Sequence, residues 1–175
     1  MITVAIIAVL SAIAIPVYTS YIRRSYLSEA TTSISAIKSA EESFFTINNC
    51  YIEALAHPAT VPAGVSVSWD SSTFSTPNSW ARNALGVRPD KNVRFQYQVY
   101  ASNSLSGGGC GSSPTAVPAT LGCVANAQTV FANAALFPSN WYIVVARGDL
   151  NGDNTSSTII SGIDDSQIVM CNELQ

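Results

Sequence analysis

From Met1 to Tyr21 no side chain is charged at neutral pH, and the polar interruptions are only Thr3, Ser11, Thr19 and Ser20. A helix satisfies such hydroxyls through its own carbonyls. About twenty apolar residues, at about 1.5 Å each, suffice to cross a bilayer. Three readings compete for this segment. A cleaved secretory signal fits Ala12-Ile13-Ala14, which has the A-x-A form, but no Lys or Arg precedes the apolar run. A core helix of a soluble protein needs a polar face, and none occurs before Tyr18. The third reading is a membrane-inserted helix that continues outward as a stalk.

The residues beyond Pro16 favour the third reading. Leu27, Ala30, Ile34, Ile37 and Phe44 recur at helical spacing and form one apolar stripe. Arg23, Arg24, Lys38 and Glu42 lie off that stripe, while Glu41 interrupts it. The turn formers Asn48-Asn49 mark the helix end. Pro16 lacks an N–H donor and is expected to kink or loosen the helix. Such a helix of about fifty residues is roughly 75 Å long. A domain built from the other 125 or so residues, with a radius of gyration near 14 Å, cannot cover it. The first half must find apolar company in a bilayer or in copies of itself.

The rest of the chain changes period. "VRFQYQVY" (93–100) alternates, with Val93, Phe95, Tyr97 and Val99 on one face, as expected of a half-buried antiparallel strand. "WYIVVA" (141–146) reads as a central strand, "STIIS" (157–161) and "SQIVM" (166–170) as shorter strands, and "VSVSW" (65–69) as an edge strand. "SGGGCGSSPTAVPATLG" (106–122) has a loop composition, and 123–136 reads as a short helix or irregular. The expected fold is α+β, a long N-terminal α-helix with its apolar half protruding, packed on an antiparallel β-sheet. Residues 1–50 are the helix, with 1–22 apolar and 23–50 amphipathic, and residues 51–175 are the head domain.

Composition narrows the class. Charged residues are 11% of 175, against the roughly 25% usual in soluble domains, while Ser and Thr make up roughly a fifth. A net charge of −3 with scattered basic residues argues against nucleic acid as the primary partner. The four cysteines, Cys50, Cys110, Cys123 and Cys171, form no C-x-x-C, and the lone His57 has no ligand spacing to them, which disfavours zinc. Two disulfides in an oxidising compartment are expected, with four buried free thiols as the alternative. Of the three pairings, the nested one is favoured, Cys110 with Cys123 and Cys50 with Cys171.

"DLNGDN" (149–154) sets Asp149, Asn151 and Asp153 at alternate positions, like the first ligands of an EF-hand calcium loop. The twelfth position is Ile160 and the sixth is Asn154, so Asp164 or Asp165 would have to supply the missing carboxylate. A tight turn between two strands explains the same residues and is preferred over bound Ca2+. Arg147-Gly148-Asp149 spells an integrin-type tripeptide that the same turn explains, and Asn154-Thr155-Ser156 fits a glycosylation sequon. Catalysis finds no footing. His57 reads as a surface-loop residue with no nucleophile motif beside it, adjacent Glu41 and Glu42 diverge on a helix, and no phosphate-binding glycine loop follows a strand. Tyr18, Tyr21, Tyr26, Phe44 and Phe45 read as core or subunit-contact packing.

Val4-Ala5-Ile6-Ile7, Leu10, Ala12-Ile13-Ala14-Ile15-Pro16, Tyr18, Tyr21, Arg23 and Ser28-Glu29-Ala30 together resemble the start of a type IV pilin. In that family the mature chain begins with a methylated phenylalanine, followed by a glutamate. Met1 aligns just after such a start, so about six residues and a basic leader are expected to precede it. That leader would sit in the cytoplasm, reconciling Arg23 and Arg24 with cysteines on the opposite side. The resemblance implies a structural subunit, not an enzyme, held in the inner membrane and then assembled into an extracellular helical homopolymer. Leu10, Ile13, Ile15 and Pro16 are the expected assembly residues, with assembly machinery and minor pilins as partners. The alternatives are a minor pilin, a secretion pseudopilin, or a membrane-tethered calcium-dependent adhesin.

Overall fold

The computed structural model describes residues 2–69, 80, 85–89, 92–103, 110, 117–127, 130, 140–163 and 168–172. Helix α1 runs unbroken from Ile2 to Asn48, through Pro16. Asn49 ends it in the left-handed region (φ 57°), its N–H donating to the Phe45 carbonyl at 2.7 Å. Asparagine tolerates that conformation where most residues do not, so the two asparagines act as a stop.

Strands β1 (Ala54–His57), β2 (Gln96–Asn103), β5 (Asn140–Gly148), β6 (Ser157–Gly162) and β7 (Val169–Cys171) form one antiparallel sheet in the order β1-β2-β5-β6-β7. Between β2 and β5 in sequence, β3 (Thr120–Leu121) and β4 (Val124–Ala125) pair as a small hairpin. β5 is central, as its uninterrupted apolar run implies. The expected edge strand at 65–69 is reduced to one bridge, Val67 with Val93, and the sheet edge is β1 instead.

One sheet face packs on the helix. Tyr97, Val99, Tyr142, Val144, Ala146 and Ile159 form a core with Leu27, Ala30, Ile34 and Ile37 of α1. Polar contacts fix the crossing. The Glu29 carboxylate accepts the Arg94 backbone N–H at 3.1 Å, and the Arg94 guanidinium lies 4.0 Å over the Tyr26 ring. Lys38 Nζ donates to Ser161 Oγ (3.0 Å) and the Gly162 carbonyl (2.8 Å) at the end of β6.

The opposite face is also covered, which the alternation in 93–100 did not reveal. Tyr100, Trp141, Ile143, Val145 and Ile160 pack with Leu121 and Ala127 from the β3–β4 region. Tyr100, expected on a solvent face, is therefore buried, and Gln96, expected there too, is buried with its Nε2 donating to the Pro58 carbonyl at 2.8 Å. Gly122 makes the close approach feasible. It has φ +57°, and a Cβ there would lie 2.9 Å from Thr158 Cβ and 3.1 Å from Cys171 Sγ. Most of the segment 123–136, read as helix or irregular, lies outside the described residues, and its start is β4.

The disulfides correct the nested pairing. Cys50 bonds Cys110 and Cys123 bonds Cys171, with Cα–Cα separations of 6.2 and 5.6 Å. Sheet order is the reason. Cys50 leads into β1 and Cys171 closes β7, the two opposite edges. Four strand spacings, about 19 Å, separate those edges, while a disulfide needs Cα atoms within about 7 Å. Antiparallel pairing of β1 with β2 instead carries the chain after β2 back beside Cys50, and the hairpin carries Cys123 onto β7.

Candidate assembly surface

The head leaves half of α1 bare. Ile2, Val4, Ile6, Ile7, Val9, Leu10, Ile13, Ile15 and Val17 are each 54–78% exposed, and the first buried residue of the helix is Leu27. By length and composition this half is apolar enough to cross a membrane, and none of it is buried inside the protein. Twenty residues of helix span about 30 Å, the thickness of a bilayer's hydrocarbon core. All four expected assembly residues lie here. Leu10, Ile13, Ala14, Val17, Tyr18 and Tyr21 share one shallow apolar groove, with Ile2, Ala5, Ile6 and Val9 continuing it toward the N-terminus beside Leu10. Ile15 and Pro16 are exposed outside those grooves.

The stretch around Pro16 is the weak part of the rod. Pro16 cannot donate to the carbonyl of Ala12. Just beyond, Thr19 Oγ1 donates to the Pro16 carbonyl (2.9 Å) and Ser20 Oγ to the Val17 carbonyl (2.8 Å). These hydroxyls are satisfied without water, as a lipid-facing helix requires, while competing with the backbone bonds of the same carbonyls.

The 149–154 motif is a closed turn joining β5 and β6. Asp149, 4% exposed, accepts three backbone N–H groups, from Asn151 (3.3 Å) and Gly152 (2.6 Å) at Oδ1 and Asn154 (2.9 Å) at Oδ2. Asn151 Nδ2 donates to Asp153 Oδ2 at 2.7 Å, and Thr155 N–H to Asp153 Oδ1 at 2.7 Å. These bonds, with the positive charge of Arg23 nearby, hold the Asp153 carboxyl below the usual carboxylate range. A cation at the turn would compete for oxygens that already have these partners. Among the described residues no third acidic, His or Cys side chain joins Asp149 and Asp153, and Asp164 and Asp165 lie outside them. The Arg147-Gly148-Asp149 tripeptide is not displayed, since Gly148 and Asp149 are buried and a Gly148 Cβ would lie 2.7 Å from the Arg94 carbonyl.

Two features escaped the sequence reading. Glu41, the interruption in the apolar stripe, is fully buried, with Oε2 accepting the Ile52 N–H at 3.1 Å and Oε1 unpartnered. Burial, opposed by that N–H and reinforced by neighbouring Glu42, pushes its carboxyl up to about 8. Glu42, one position on, accepts Tyr142 OH at 3.1 Å and faces Tyr51 OH at 3.4 Å. His57 is not in a surface loop. It ends β1 with its ring edge-on to Trp69 at 4.5 Å, in an aromatic group that includes Trp80 and Tyr97.

The chain is 31% identical over 141 residues to the type IV major pilin protein PilA of Myxococcus xanthus, a match covering 78% of this chain. It spans about half the length of that relative. No family model and no solved structure matches. A bare apolar N-terminal helix on an antiparallel sheet, two disulfides and this similarity converge: the chain is a homologue of a type IV major pilin.

Proposed function

We propose that this protein is a structural subunit of an extracellular type IV pilus filament, not an enzyme, assembling through the apolar half of α1. The single observation that carries the reading is that half-helix. It presents nine large apolar side chains, each more than half exposed, with no partner among the described residues. Before assembly a bilayer takes that surface. In the filament, helices of neighbouring subunits take it. Covering even ~300 Å² per neighbour contributes roughly 7 kcal/mol, more than a typical single polar contact. Contacts of this kind are head-to-tail and do not close, so repetition gives a helical filament. Leu10, Ile13 and Ile15 supply the apolar contacts. Pro16, with the back-bonding hydroxyls of Thr19 and Ser20, lets the helix bend or extend to fit its neighbours. Assembly machinery and minor pilins are the partners, and the filament serves motility, adhesion or DNA uptake.

Filaments sheared from intact cells provide the test. This chain should be their principal protein by peptide mass mapping. Recovery only from the membrane fraction, with none in sheared filaments, would refute the reading.

A further inference from the structure

The two disulfides differ in how a thiol reaches them. Cys50 is 4% exposed and Cys110 is only partly exposed. Cys123 lies exposed in the β3–β4 turn, whereas its partner Cys171 is 2% exposed beneath it. The Cys123 backbone N–H donates to Cys171 Sγ at 3.0 Å. An exposed residue on one side and an N–H donor at the sulfur that would leave on the other are the arrangement that favours thiol–disulfide exchange.

We propose that Cys123–Cys171 is a thiol-exchange site, opened by a small dithiol from the Cys123 side, and that it latches the β3–β4 hairpin over the outer face of the sheet. A thiolate of the dithiol attacks Cys123 Sγ. The new S–S bond forms as the Cys123–Cys171 bond breaks, and the electron pair leaves on Cys171 Sγ, held by the Cys123 N–H until it takes a proton from water. The second thiol of the reductant gives its proton to water and, as a thiolate, attacks the mixed disulfide. It closes its own ring and releases Cys123 as a thiolate, which then takes a proton from water. The dithiol loses two electrons and the protein gains them as two thiols.

Among the described residues, few buried side chains hold the hairpin besides that tie, Leu121 and neighbouring Ala127 foremost. Each of its strands is two residues long, and its fully buried anchor is Leu121, which packs into the group of Tyr100, Trp141, Ile143, Val145 and Ile160. A two-stranded ribbon of this size is not stable alone in water. The covalent tie to β7 keeps Leu121 at high effective concentration over that apolar face, and exchange removes the tie.

The full chain, folded in mild detergent without denaturant, is treated with dithiothreitol for increasing times, quenched with iodoacetamide and peptide-mapped. Cys123 and Cys171 should be alkylated together, about tenfold or more faster than Cys50 and Cys110. Earlier labelling of Cys50 and Cys110, or equal labelling of all four, overturns the assignment. Hydrogen exchange on the partly reduced species tests the latch. Amides of 119–127 should exchange faster while those of 142–146 stay protected. Unchanged protection in 119–127 overturns it even if the order of reduction is as stated.

Discussion

Glu41 shows how one residue can occupy a core position against its chemistry. Its place on the buried stripe of α1 is dictated by helical spacing, and among the described residues the Ile52 N–H is the one hydrogen bond offered to its carboxyl. The proton is therefore retained to about pH 8 in the folded state, against an ordinary value of 4.5. The folded chain binds more protons than the unfolded chain between those values, so stability is fully present below pH 4.5 and declines as pH rises to about 8. Each pH unit in that window removes at most about 1.4 kcal/mol. Urea unfolding of the wild type and Glu41→Gln at pH 5, 6.5 and 8 should show a difference that moves in favour of the variant as pH rises. A difference independent of pH would mean the folded state does not hold this proton.

At the same scale, Asp149 organises the β5–β6 connection by accepting three amides. Asp149→Ala leaves those donors without their carboxylate and should cost roughly 2–4 kcal/mol, read as a lower urea midpoint. The alternating Asp149, Asn151 and Asp153 were legible in the sequence, and so was the turn they build. Burial of Glu41 was not, because local pattern marks a charged residue on an apolar stripe as an interruption and cannot show what packs opposite it.

Among elements, the helix was the most legible because everything that defines it is local. Its period and its buried stripe are set by residues three and four apart, and its stop by the adjacent pair Asn48-Asn49. Ile34→Ala, at a fully buried position between α1 and the sheet, should destabilise the head by roughly 2–5 kcal/mol. The sheet was less legible, since its strand order depends on partners far apart in sequence. The alternation in 93–100 identified the face that meets α1. It could not show that Tyr100 would be roofed by a hairpin from a Gly-, Ser- and Pro-rich stretch, nor that β1 rather than 65–69 would form the edge. Cysteine pairing followed the same long-range topology and so was misread from spacing. Gly122→Ala tests that roof. Added at 2.9 Å from Thr158 Cβ and in the left-handed region, the methyl should lift the hairpin and speed hydrogen exchange in 119–127 while leaving the helix unaffected.

At the scale of the whole molecule, two surfaces with different needs share one rod. From Leu27 onward one stripe of α1 is buried against the head, and before it the apolar side chains stand exposed, with no cover among the described residues. That imbalance was visible from arithmetic on the sequence alone, because a helix of this length exceeds what the remaining residues can enclose. The structure adds which residues stand bare and how the head is fixed to the other half. It makes assembly a property of the first half and head stability a property of the second, so the two should separate on mutation.

Leu10→Asp tests that separation most directly, since it places a charge in the apolar groove and touches nothing in the head. Filaments should be absent by electron microscopy of cells carrying the variant, while the soluble head, released by proteolysis in detergent, keeps the wild-type circular dichroism spectrum and urea midpoint. Normal filaments on the Leu10→Asp cells would contradict the account.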